Sequence, residues 1–215
     1  MEDSPQSTAT ECCQGRCGSA SALEKGGLKA LIAEQLHRGG QTLGEALGRI
    51  GFSDELRLGL LGQVRRVLAP RGVKVVQTVQ RAYQYAYLLL AVIPAIGQLR
   101  WGWIPRLKQE HLKPVLEQWG LAINVWDGAG VHRGRSLSEL AGSRILQPAY
   151  SPELNPAERV FEEVRRAIEG KVYPSLEHKR LAAEEFLTQL AADPTRVKRL
   201  CFWPWIQEAL CVTSS

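Results

Sequence analysis

Three acidic residues stand where a chain could use a carboxylate for chemistry. Glu158 closes Tyr150-Ser-Pro-Glu-Leu-Asn-Pro-Ala-Glu158, a proline-punctuated turn leading into a long amphipathic stretch. Asp127 ends the apolar run Leu121-Ala-Ile-Asn-Val-Trp-Asp127, and α/β folds gather ligands outside the carboxyl ends of buried strands. Asp54 follows residues 49–52, a candidate strand. Carboxylates are hard oxygen donors suited to Mg²⁺, which keeps several of its waters and therefore needs few protein ligands. Phosphodiester cleavage is one task for such groups, because two divalent cations about 4 Å apart neutralise both the entering and the leaving oxygen. With 72 residues between Asp54 and Asp127 and 30 between Asp127 and Glu158, only tertiary folding could bring them together. His132, five residues past Asp127, either sits near a scissile phosphate or is a solvated loop histidine.

The elements that must position these residues are legible to different degrees. Asn155 is a good N-cap, Pro156 suits the first helical position, and Pro152 keeps the approach extended. Val160, Phe161, Val164 and Ile168 then recur at helical spacing. Asn-x-x-Glu is equally a capping box, in which Glu158 reaches back to the N-cap amide and does nothing else. Upstream, residues 1–21 lack hydrophobic periodicity and read as a tail, and Leu28, Leu31, Ile32 and Leu36 mark a helix ended by Gly39-Gly40.

Residues 43–55 admit two readings. In one, Thr42 caps a second helix, the pair forms a helix-turn-helix, and Asp54 is surface decoration. In the other, residues 49–52 form a strand that delivers Asp54 at its end; Gly48 and Gly51, poor inside a helix, favour it.

The β-branched runs 64–68 and 73–79, split by Ala69-Pro-Arg-Gly72, predict a hairpin. Tyr83, Tyr85 and Tyr87 alternate into an apolar strand at 88–93, where aromatics at period two favour cross-strand packing over base stacking. A further strand at 99–104, a helix at Gln109–Trp119 and the strand ending at Asp127 suggest a βαβ-like crossover. Ser143–Leu146 predicts the last short strand. Helices follow after Ser175 and from Asp193-Pro194, and Trp203, Trp205 and Ile206 form an aromatic plug that fastens the C-terminus to the core. The fold class is α/β: a mixed sheet with flanking helices and a helical C-terminal extension.

Composition sets outer bounds. At 215 residues, 45% hydrophobic and 23% charged, the chain is a globular domain plus an appendage rather than a disordered segment. A net charge of +5 and a pI near 9.1 lean towards a polyanionic partner, although a solvated basic surface accounts for them equally. The longest apolar run, Leu88-Leu-Leu-Ala-Val-Ile93, is strand-sized, so no membrane span is expected. The opening Met-Glu-Asp lacks a basic, then apolar leader, which makes the cytoplasm the expected compartment. Five cysteines at 12, 13, 17, 201 and 211 give no disulfide framework, and Cys12, Cys13 and Cys17 lack a second ligand pair with zinc-finger spacing.

The nonapeptide ending at Glu158 resembles the Ser-Pro-(Asp/Glu)-Leu-Asn-Pro-x-Glu signature of DDE transposases of the bacterial insertion-sequence branch of the mariner superfamily. Gly51-Phe-Ser-Asp-Glu-Leu-Arg-Leu-Gly-Leu-Leu-Gly62 is similar to the family's Asp-Glu-x-Arg-x-Gly-Leu segment, and Val125-Trp-Asp-Gly-Ala-Gly-Val-His132 to its Asp-(Asn/Gly)-Ala-x-x-His element. Gln147-Pro148-Ala149 departs from the usual Leu-Pro-Pro. The resemblance covers about residues 44–210, with three motifs in order.

It implies an RNase H-like catalytic domain at 44–215, preceded by a tail and short helix at 1–43. It implies Asp54, Asp127 and Glu158 as catalytic ligands of two Mg²⁺ (or Mn²⁺) ions. Asp54 would bridge the pair, and the ions would activate water for cleavage and then a 3′-hydroxyl for joining. The implied partners are DNA, as transposon ends and target, with the protein nucleoid-associated in a bacterium. A homodimer and a separate helix-turn-helix polypeptide remain open as partners, since about forty residues before the first strand are too few for the family's paired DNA-recognition units. Two alternatives stand beside this reading: a catalytically silent remnant that binds DNA or full-length enzyme, and a helix-turn-helix regulator using residues 28–55.

Overall fold

The central strand, β1 (Ile50–Gly59), carries the logic of the fold. Its even positions Ile50, Phe52, Leu56 and Leu58 are buried along one face, as the two-residue period of a strand requires, and Asp54 interrupts that apolar row. The computed structural model describes residues 27–61, 68–76, 82–133, 137, 140–147 and 151–210. Within these, β1 pairs antiparallel with β2 (Tyr85–Ile93), which pairs antiparallel with β3 (Gln98–Ile104). On its other side β1 pairs parallel with β4 (Ile123–Trp126), which pairs parallel with β5 (Ser143–Leu146). The sheet is mixed and five-stranded, in the order β3-β2-β1-β4-β5.

Helices cover both faces. α1 (Leu28–Arg38) follows the 3.6-residue period, burying Leu28, Ile32 and Leu36 against Phe52, Val125 and Ile145. α2 (Leu43–Ala46) is a single turn closed by a capping box between Thr42 and Glu45. α3 (Gln109–Trp119) lies on the opposite face, packing Leu112 and Leu116 against Leu89, Ala91 and Trp126, and ends on Gly120 in the left-handed conformation. α4 (Pro156–Ile168) buries Val160, Phe161, Val164 and Ile168 against Leu56, Leu58 and Leu90 on the same face as α1. At about 1.5–3 kcal/mol for each large side chain removed from water, that seam is a main anchor of α4.

The C-terminal extension is helical, as expected: α5 (Leu176–Ala191), α6 (Pro194–Cys201) and α7 (Pro204–Leu210). α5 and α6 pack on α4, and Gly97, at φ 69°, lets the β2–β3 turn meet α6, since a Cβ there would stand 2.2 Å from the Pro194 carbonyl oxygen. The aromatic plug is present: Trp205 meets Phe52 edge-on at 6.2 Å, and Ile206 is fully buried. No helix among the described residues is long and apolar enough to cross a membrane.

Four expectations are corrected. Thr42 does cap a helix, yet that helix has four residues and Ile50 onward is strand, so no helix-turn-helix forms. β1 continues five residues beyond Asp54 to Gly59, because pairing with β2 runs from Phe52 to Gly59; Asp54 therefore lies within the strand rather than at its end. The turn at Pro70 forms, with Val73 N–H bonded to the Pro70 carbonyl, but Val73, Val75 and Val76 are exposed and form no strand among the described residues. Tyr83 precedes β2 and is 78% exposed, so it does not share the packing of Tyr85 and Tyr87. The expected strand at 64–67, the stretch 77–79, the N-terminal tail with Cys12, Cys13 and Cys17, and the departure at Pro148-Ala149 lie outside the described residues.

Candidate active site

β1 and β4 bring the first two acidic residues to one level. Their parallel register pairs Ile50 with Ile123 and Phe52 with Val125, and the same offset, continued two residues, sets Asp54 beside Asp127. Neighbouring strands lie about 4.8 Å apart; Asp54 follows the face of Phe52, the one covered by α1 and α4, while Asp127, just past the end of β4, turns one oxygen to His132 on the side of α3. β4 stops at Trp126 while β1 continues.

α4 brings the third. Asn155, 2% exposed, caps it by accepting from Ala157 N–H at 3.1 Å. The same side chain uses its amide Nδ2 to donate to the Ser53 carbonyl at 2.9 Å and to Asp54 Oδ2 at 3.3 Å. The start of α4 is therefore bolted to β1 at the level of Asp54. Glu158, in the first helical turn, does not complete a capping box; its carboxylate stands 3.6 Å from Arg165. Buried Gln147, just past β5, steadies the approach by donating its side-chain amide to the Leu154 carbonyl at 2.8 Å and its backbone N–H to Trp126 at 2.7 Å.

The electrostatics of Asp54 register its acidic neighbours. Burial pushes its carboxyl up to about 7 against a hydrogen bond from Glu55 N–H, and the charges of Glu158, Glu55 and Asp127 push in the same direction as burial. A buried carboxyl raised in part by neighbouring negative charge fits a bound cation in kind, because a divalent ion removes the repulsion and supplies what hard oxygen donors prefer. As the side chains lie, no group of three histidine, cysteine or acidic residues among the described residues is close enough to cage a metal ion. A cavity of about 470 Å³ lies elsewhere, at the amino ends of β4 and β5 beside Arg49, Gly120 and Ser143.

Asp127 carries a second set of contacts. His132, on a 3-10 turn at Gly130–Arg133, ion-pairs through Nδ1 with Asp127 Oδ1, and the same nitrogen lies 3.2 Å from the Asp127 carbonyl. Its Nε2 lies 3.0 and 3.2 Å from the two oxygens of Glu55. The imidazole stacks on Trp126, centroids 3.9 Å apart, and is 1% exposed, so the solvated-loop reading of His132 does not hold. Burial alone would lower its pKa; hydrogen bonds and charge from Asp127 and Glu55 outweigh that and raise it to about 9. Asp127 is held below the usual carboxylate range, chiefly by the His132 hydrogen bond.

Sequence reasoning missed two of these contributors. Asn155 was legible as a cap but not as the tether of Asp54. Glu55 carried a signal, since strand alternation puts it on the face opposite Asp54, where an acidic side chain under a sheet needs a partner.

The arrangement has relatives among solved structures. No protein-family model matches the chain. No curated protein matches it either. The Mos1 mariner paired-end complex with Mn superposes with a TM-score of 0.61 at 14% identity, covering 98% of this chain and 63% of that one. The Mos1 strand transfer complex gives 0.60 at 14% identity over 89% and 62%. The Mos1 paired-end complex with left transposon end gives 0.59 at 16% identity over 87% and 59%. The chain thus spans about three-fifths of the length of these transposase chains, and at such identities the likeness establishes the fold alone: an RNase H-like core.

Proposed function

We propose that this chain is the catalytic part of a DDE-type transposase of the insertion-sequence branch of the mariner superfamily, cleaving and joining DNA strands in the bacterial cytoplasm. Asp54, Asp127 and Glu158 are its metal ligands. The observation that carries the reading is the meeting of two independent devices at one level: the β1–β4 register, which sets Asp54 beside Asp127, and the Asn155 amide, which bolts the start of α4, with Glu158, to Ser53 and Asp54. When bound, two Mg²⁺ or Mn²⁺ ions would activate the attacking hydroxyl and stabilise the leaving oxygen. The protein's own part is orientation. Asn155 fixes the Asp54 carboxylate, His132 fixes one oxygen of Asp127, and the half-exposed remainder of Asp127 stays accessible. The Mos1 complexes, with a transposon end and with Mn, agree with DNA as the partner and a divalent ion as the cofactor.

The test is Mg²⁺-dependent nicking of plasmid DNA. Asp54→Asn, Asp127→Asn and Glu158→Gln should each abolish it while the circular dichroism spectrum is kept, and undiminished nicking by Asp127→Asn sinks the proposal. The engagement of Asp127 by His132 and the absence of a preformed cage among the described residues favour one second reading, a silent DNA-binding remnant. That reading requires DNA binding that falls steeply with salt and is indifferent to Asp127→Ala, with no nicking by the wild type.

A further inference from the structure

We propose that Glu55 is a positioning residue that acts on Asp127 through His132; the inference rests on Asp127 being a metal ligand. Alternation along β1 sends consecutive residues to opposite faces, so Asp54 points to the side of α4 while Glu55 drops beneath the sheet on the side of α3. There it meets His132, whose turn brings the imidazole under the end of β4. One dipeptide thus serves the site twice, with a carboxylate on the reaction face and a carboxylate under its neighbour.

The contacts form a directed chain. Glu55 accepts from His132 Nε2 at 3.0 Å, and Nδ1 faces Asp127. Exposure rises only at the far end: the Glu55 side chain is 7% exposed, His132 1% and Asp127 50%. Here the terminus is the residue that must leave one oxygen free. The imidazole plane is fixed by stacking on Trp126 at 3.9 Å, and the backbone of its turn is held by Arg144 on β5, which donates to the His132 carbonyl at 2.5 Å. A histidine held by a carboxylate behind it and aimed at a ligand in front is the arrangement by which outer-shell groups orient metal ligands.

The experiment is Mn²⁺ titration of the full chain by electron paramagnetic resonance of the free ion, run well below the melting temperature, with plasmid nicking alongside. Glu55→Gln keeps the size and one acceptor but removes the charge, and should weaken Mn²⁺ binding about 10–100-fold. His132→Gln should do the same, and the double variant should be no worse than either single one, because they act in one chain. Glu55→Asp, which keeps the charge, should recover part of the loss. If Glu55→Gln does not fold, His132→Gln and Glu55→Asp carry the comparison. Mn²⁺ affinity within twofold of wild type in Glu55→Gln, or additive losses in the double variant, overturns the relay. Loss of affinity in Asp127→Asn with none in Glu55→Gln overturns it alone; no loss in Asp127→Asn overturns the metal-site reading and the relay with it.

Discussion

Asn155 performs two separable jobs, and substitutions can take them apart. Its side-chain oxygen caps α4, worth about 1 kcal/mol, and its amide nitrogen ties the helix start to the Ser53 carbonyl at 2.9 Å and to Asp54 at 3.3 Å. A buried amide-to-carbonyl bond contributes about 1 kcal/mol net, and stranding its acceptor costs roughly another. Asn155→Ser keeps a capping oxygen but cannot reach β1, so it should cost about 1–2 kcal/mol; Asn155→Ala loses both functions and should cost about 2–3 kcal/mol. For a chain of this size that corresponds to a melting point lowered by about 5–10 °C in the alanine variant. Urea denaturation with an unchanged slope measures the ladder directly. Nicking should separate further, since Asn155→Ser frees Asp54 from its only side-chain donor among the described residues while leaving α4 capped. Wild-type stability of Asn155→Ser, or full activity in Asn155→Ser at wild-type metal concentration, would refute the tether.

Lys179 is 3% exposed and joins α5 to the end of β1, donating to the Gly59 carbonyl at 2.8 Å and to Glu169 at 2.9 Å. Lys179→Ala strands a largely buried carboxylate and should cost about 3–5 kcal/mol, whereas Lys179→Met combined with Glu169→Gln should recover most of it in the same urea assay. Cys201 is fully buried between α6 and α4, and burial pushes its thiol up to about 12, so iodoacetamide at pH 8 should leave it unmodified in the folded protein and label it on denaturation. Peptide mapping by mass spectrometry reads this out, and labelling at the unfolded rate would contradict the packing.

What could be read without the structure was whatever local chemistry decides. Asn155 and Pro156 announce the start of α4, the period of Leu112, Leu116 and Trp119 defines α3, and Ser143–Leu146 is a strand because four residues ending in Ile-Leu follow a turn. The failures share one cause, which is partners distant in the chain. Asp54-Glu55 looks like the close of a strand, yet eight successive pairs with β2 carry β1 through it. The valines at 73, 75 and 76 have strand propensity but form no strand among the described residues. His132 is solvated or buried depending on Glu55, 77 residues away, and the Asn155 amide finds its acceptor across 102 residues. Propensity has no access to contacts of that range.

The location of the site follows from topology as much as from motif. From β1 the chain turns to β2 and β3 on one side, then crosses through α3 to β4 and β5 on the other, so the order of strands reverses between β1 and β4. Open α/β sheets leave a crevice at such a reversal, because the connections depart in opposite directions and nothing fills the space above the strand ends. Here the crevice is deepened by unequal strands: β4 stops at Trp126, while β1 runs on to Gly59 with one flank no longer hydrogen-bonded to a strand among the described residues. The Ser53 carbonyl is taken up by a side chain, Asn155, and Asp54 beside it stands in an apolar row where packing alone would place an aliphatic residue. Natural sequences break a local rule of that kind where function compensates for the stability lost. An aliphatic residue at 54 should therefore stabilise the fold while ending the chemistry, the opposite of what a surface aspartate would do.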